Sequence, residues 1–215
     1  MEQYLKNTFF IDHESTPVRA FVASIDWSNC AAPVEKAVRL YYAVRDGFRY
    51  NPHRISMQPE DFRASVQVQR PEGHCIDKAN ILVAAARALG IPARLGFANV
   101  TNHIGTEKLE KVLGTTVLVF HGFAELFLEN QWVKATPAFN AELCQKLDVA
   151  PLEFNGREDS VFQQFSKNGN RFMEYLHYYG SFEDLPFDMM IGEWKKYYPK
   201  LFSKPVEQLI ISTDL

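Results

Sequence analysis

Long apolar runs are missing from this chain, and no stretch is long enough to cross a bilayer as a helix. Cysteine is scarce. Cys30, Cys75 and Cys144 are three, an odd number, and widely spaced, so neither a disulfide framework nor a CxxC metal site fits them. An excess of positive charge is also absent. The net charge is −3, and the basic residues are scattered, as at Lys195-Lys196, with no stripe of the kind that nucleic acid requires. The N-terminal MEQYLKNTFFIDHESTPVRAF carries acids early and no apolar segment ending in a small-residue cleavage site, which argues against a secretory leader. No Asp-rich loop of the EF-hand kind points to calcium, and no cofactor is expected. These absences leave a soluble globular protein of a reducing cytoplasm, with no nucleic-acid or membrane partner expected and an oligomeric state the sequence does not set.

What is present is enough apolar material, 47% of 215 residues, for one real core. Residues 1–28 read as extended or irregular, with alternation in FVASIDW. Pro33 suits the first turn of a helix. The run VEKAVRLYYAVRDGF then places Val34, Ala37, Val38, Tyr41, Tyr42 and Val44 near one face, with Gly47 as a stop. A proline-interrupted stretch, 49–73, reads mostly as loop with short helical turns. From Cys75, the residues Ile76, Ala79, Asn80, Val83, Ala84 and Arg87 recur at helical spacing, and Gly90 and Pro92 end the run. ARLGFANV reads as a strand, followed by a polar connection from Thr101 to Gly114. The β-branched and aromatic TTVLVFHGFAELFLENQWVKATPAF reads as two antiparallel strands around a tight turn. Beyond it, FMEYLHYYG reads as a short helix, and DLPFDMMIGEWKKYYPKLF as helical in its second half. The class is α+β with an antiparallel sheet.

Cys75 in the first turn of a helix has chemistry available to it. Orphan N–H groups and the positive end of the helix dipole favour a thiolate and can hold an oxyanion. Gly73, two residues earlier, lets the chain turn and a substrate approach. On position alone, a buried structural thiol is the commoner state of free cysteine. A nucleophile also needs a base. Of the six histidines, His74 adjoins Cys75 but need not point the same way. His121 lies in a strand whose alternation puts Phe120, Gly122, Ala124 and Leu126 on one side and His121, Phe123, Glu125 and Phe127 on the other. Packed against the Cys75 helix, such a strand would aim His121 at the thiol; a hydrogen-bonded core histidine is the plainer alternative.

Together these residues resemble the transglutaminase-like family. GHCIDKANILVAAARALGIPAR resembles its glycine-x-cysteine helix start and Arg-Ala-x-Gly-Ile-Pro-Ala-Arg exit, and HGFAELFLENQWVKATP its histidine block. The helix ending in FRYNP resembles the upstream helix of the family, so the likeness covers about residues 34–140. The resemblance implies a papain-like core: a nucleophile at a helix N-terminus packed on an antiparallel sheet, with a Cys-His-Asp arrangement. The family's third member is an aspartate just before a proline. Here Thr136 stands at that position, fifteen residues past His121. Its hydroxyl can accept a hydrogen bond from imidazole but supplies no negative charge. Asn140 is an alternative neutral orienter. Glu125 reads as a structural carboxylate paired with an arginine, and Asp77 faces away from Cys75. The run Ala135 to Asn140 and the tail after it resemble a bacterial subgroup of the family, which would make Thr136 a subgroup pattern.

The resemblance implies a thiol-dependent amide hydrolase or acyl transferase, with Cys75, His121 and Thr136 as catalytic residues and a peptide, protein or small amide as substrate. The alternative is a binding protein that keeps the fold without turnover. A metal site of Cys75, His121 and His103 ranks third, for want of a ligand motif. Residues 1–140 are expected to form the core with an N-terminal extension. Residues 141–215 are expected to pack on it, either as support alone or also as a wall or lid of the cleft.

Overall fold

The computed structural model describes residues 1–53, 55–102, 110–111, 113–161 and 173–203. His103, much of the expected 101–114 connection and the 162–172 part of the tail lie outside the described residues.

The fold is α+β. Its main sheet has four antiparallel strands in the order β5-β4-β3-β6: β3 is Ala93–Asn102, β4 Val117–Leu128, β5 Gln131–Ala135 and β6 Met173–Phe182. The β4–β5 hairpin turns at Glu129 and Asn130, which hold φ of 47° and 66°. Two positive-φ residues in succession match the twist of the flanking strands, and asparagine tolerates that region well. The stretch FMEYLHYYG, expected as a helix, contributes a strand instead. Its aromatic residues pair with β3, Tyr178 opposite Ala98 and Tyr175 opposite Val100, a long-range partnership that local spacing does not reveal.

Against this sheet lies the central helix, Cys75–Ala88 (α4). Every residue from Ile76 to Arg87 is buried, so the one-faced helix expected from the spacing is enclosed on all sides. Helices α1 (Thr16–Ser24), α2 (Pro33–Gly47) and α3 (Ala64–Gln67) cover the side of α4 away from the sheet. Helix α1 replaces the extended segment expected before residue 28. Pro17 sits in its first turn, where a missing N–H costs nothing, and Val18 is its buried anchor. Helix α2 runs as expected from Pro33 to Gly47 and buries Val34, Ala37, Leu40, Tyr41 and Val44.

A buried ammonium ties α2 to α4. Lys78 is fully buried, and its Nζ donates to the carbonyls of Arg45, Phe48 and Ala138 at 2.7–2.8 Å. Two of these acceptors lie at the C-terminal end of α2, where carbonyls lack helical partners and the dipole is negative. Burial pulls the pKa of this ammonium down to about 7, against which three carbonyls match its three donors.

A two-stranded parallel pair, β1 (Arg49–Tyr50) with β2 (Glu72–Gly73), brings the exit of α2 beside the residues that precede Cys75. After β5 come a short helix, α5 (Ala141–Lys146), then β6, then α6 (Phe187–Tyr197). Helix α6 packs across β4 through Trp194, whose Nε1 donates to the Val119 carbonyl at 3.1 Å. Among the described residues no helix is long and apolar enough to cross a membrane.

Candidate active site

The start of α4 is fixed by its own side chains. His74 is the N-cap, and its Nδ1 accepts from the N–H groups of Ile76 and Asp77 at 3.2 and 3.3 Å. Asp77 closes the box: its Oδ2 accepts the His74 N–H at 3.0 Å, while its Oδ1 accepts from Gln67 at 2.6 Å. Asp77 is therefore occupied as a capping carboxylate. Because Nδ1 of His74 accepts, the proton of the neutral ring sits on Nε2. Gly73 is needed for proximity: a Cβ there would meet the Asp77 Cβ at 2.8 Å. Cys75, the first residue of the helix, is thus delivered at a rigid corner.

Strand β4 crosses the same corner. Gly122 lets it come close, since a Cβ there would lie 3.0 Å from the Ile76 Cα and 3.3 Å from the Phe97 ring. Just before it the strand is irregular. Phe120 adopts φ of 63°, the register with β3 shifts between Ala98 and Val100, and the Phe120 N–H turns to the Asn99 side chain at 3.0 Å. A bulge re-aims side chains that strict alternation would send to alternate faces. The simple two-sided pattern expected for this strand holds from Gly122 onward and is interrupted here. Leu118, Val119, Phe120 and His121 all line one pocket.

That pocket holds His74, Cys75 and His121 together, walled by Tyr50, Trp194 and Tyr198. Cys75 keeps part of its surface open, although protein surrounds the sulfur. Burial pushes its pKa up to about 11. The backbone N–H groups of Gly122, Ile76 and Cys75 itself work against that shift, and the charge of Asp77 adds to it. His121 is buried, and desolvation, helped by nearby His74, pulls its pKa down to about 4. Both ring nitrogens of His121 lack a hydrogen-bond partner. The resting arrangement is a neutral thiol and a neutral imidazole in one pocket, with no hydrogen bond between them.

Thr136 is held through its backbone. Its N–H donates to the Ser160 carbonyl at 2.8 Å, and its carbonyl accepts from Tyr41 Oη at 3.2 Å. It follows Ala135, the partner of Ala124, which puts it level with Phe123. That is two residues along β4 from His121, a Cα offset of roughly 7 Å. The Thr136 hydroxyl is buried and has no partner. Asn140 is engaged elsewhere, its Oδ1 accepting the Tyr50 N–H at 3.1 Å. Glu125 pairs with Arg94 Nε at 2.6 Å and also accepts from Tyr178 and Ser181, the structural role expected of it. Trp194 and Tyr198 were not expected at the site; the only sequence signal for them is their i, i+4 spacing.

No curated protein matches the chain. Among solved structures, a candidate cysteine protease from Cytophaga hutchinsonii is similar at 14% identity and a TM-score of 0.44, over 83% of this chain and 53% of the other. The chain therefore spans about half the length of that protein. The model of the transglutaminase-like superfamily matches residues 19–137, a span that takes in the start of α4, all of β4 and the Thr136 position. With more than half of its length inside that match, the chain belongs to the transglutaminase-like superfamily.

Proposed function

We propose that the protein is a thiol-dependent hydrolase of amides or related acyl compounds, with Cys75 as nucleophile and His121 as base. The observation that carries this reading is the shared pocket: a thiol at a helix N-terminus, backbone N–H groups directed at its sulfur, and a buried neutral imidazole on the facing strand. In the attack, Sγ bonds to the acyl carbon as His121 takes the thiol proton, and the Cys75 N–H steadies the oxyanion. The C–N bond then breaks, and the same proton passes to the leaving nitrogen. Water adds to the thioester, releases a carboxylic acid and returns the thiol. Transfer to an amine in place of water is the other completion; no amine-holding carboxylate lines the described pocket, which favours hydrolysis.

Thr136 takes the third position in this proposal. Neutral His121 needs little help, but the imidazolium formed during attack has a second N–H to place, and the unpartnered Thr136 hydroxyl is the acceptor we assign to it. Three widely spaced free cysteines suit a reducing compartment, for which the cytoplasm is our proposal. The pKa of Cys75, pushed up to about 11, favours a second reading, a binding protein without turnover.

Steady-state hydrolysis of an activated ester, p-nitrophenyl butyrate, separates the two. The enzyme reading expects Cys75→Ala to lose all turnover above background and His121→Gln to lower kcat by about 10²- to 10⁴-fold. Equal rates for wild type and Cys75→Ala would leave only the binding reading.

A further inference from the structure

The walls of the pocket carry information about what enters it. The cavity is narrow, about 60 Å³, and opens to solvent at its mouth, so only a small group is enclosed in it. Tyr50, Pro52, Ile55 and Leu118 form one side, and Trp194 of α6 with Tyr198 just past its end form another. Among the described residues no Asp, Glu, Lys or Arg lines it. The polar ends of Trp194 and Tyr198 are turned away from the interior: Trp194 Nε1 donates to the Val119 carbonyl, and Tyr198 Oη donates to the Val117 carbonyl and accepts the Val119 N–H. Their ring surfaces remain as wall. This grip also satisfies the backbone of β4 beyond the last residue paired with β5, beside His121.

We infer that the acyl part of the substrate is uncharged and apolar, a short aliphatic or aromatic acyl group, and that Trp194 and Tyr198 are the residues that set its size. The inference rests on Cys75 being the nucleophile. A carboxylate or ammonium on the acyl group would lose its hydration here without meeting a counter-charge among the described residues. An added methylene, by contrast, leaves water for apolar wall. The step is the one already given: the S–C bond forms, the C–N or C–O bond breaks, the thiol proton leaves with the amine or alcohol through His121, and water returns the apolar acid and the thiol.

A series of p-nitrophenyl esters tests it on the full chain: acetate, butyrate, hexanoate, benzoate and the anionic half-ester of succinate, each corrected by the Cys75→Ala rate. The expectation is a rise in kcat/KM of about fourfold per methylene until the pocket fills. The succinate half-ester should fall at least about 100-fold below butyrate, reflecting an unpaired buried charge. Trp194→Phe should move the optimum to a longer acyl chain. Should that variant fail to fold, Ile55→Lys, at a half-buried wall position, should narrow or reverse the preference against succinate. A flat series, or succinate preferred, with Cys75 still required, overturns the apolar pocket and leaves the nucleophile standing. Binding to Cys75→Ala separates the other failure. Hexanamide should bind it more tightly than the succinamate anion. If it does while no ester shows Cys75-dependent turnover, the nucleophile is wrong and the pocket preference holds; if it does not, the inference is overturned.

Discussion

Burial acts on Cys75 and His121 in opposite directions, pushing the thiol up to about 11 and pulling the imidazole down to about 4. The pair is therefore neutral through the physiological range, and in the proposed mechanism the thiol proton moves during attack instead of before it. A consequence for stability follows from His121. Between about pH 4 and the ordinary 6.5, the unfolded chain holds a proton there that the folded chain does not. Stability from this group is thus complete above 6.5 and is lost as pH falls through the window, by roughly 3 kcal/mol at pH 4. Denaturant melts of wild type and His121→Gln should converge in their pH dependence only above 6.5; parallel curves from pH 7 to 4 would mean that His121 is not buried neutral. Thr136 makes a second case. Its hydroxyl has no partner in the resting state, so Thr136→Val should leave stability unchanged or slightly raised. If the hydroxyl receives the imidazolium, the same variant should lower kcat by about 5- to 10-fold with KM unaltered, the worth of one hydrogen bond. Unchanged kcat would remove Thr136 from the mechanism.

At the scale of elements, the site depends on how closely β4 approaches α4. Gly122→Ala would push a Cβ onto the Ile76 Cα, backbone against side chain with little freedom to yield. The expected result is a loss of about 1–3 kcal/mol by urea melt. A fall in kcat of tenfold or more should accompany it, because His121 moves with the strand. Full activity in a folded Gly122→Ala would show that the approach is not what positions the base. The two elements that meet here were legible from sequence because their signals are local: a helix-start pattern around Cys75 and a β-branched hairpin around His121. What stayed hidden was set by distant partners. Residues 173–180 carry aromatics that fit either period, and only pairing with β3 makes them a strand. FVAS in α1 is too short to separate alternation from a helical turn. Lys78, one of several polar residues in this buried helix, gives no hint that three carbonyls from two other segments converge on it. The bulge at Phe120 has no sequence mark, yet it decides which way His121 faces.

Across the whole molecule, residues beyond 140 enter both the sheet and the site. Strand β6 covers the edge of β3, and α6 and its C-cap supply Trp194 and Tyr198 to the pocket. A chain ending at residue 160 would leave β3 as an open edge and the pocket without one wall, and it should fail to give a cooperative melt or a monodisperse elution peak. A stable, cooperatively folded truncation would make the C-terminal segment an accessory. The central claim, that Cys75 forms a covalent acyl intermediate with His121 as its base, is tested most directly by trapping that intermediate. The full-length protein is mixed with p-nitrophenyl hexanoate, quenched in acid within the first turnover, and its peptides are mapped by mass. The account predicts one hexanoyl group on Cys75, none on Cys30 or Cys144, and a much slower rise of the same adduct in His121→Gln. Acylation spread over all three cysteines, or the same rate on Cys75 without His121, would contradict it.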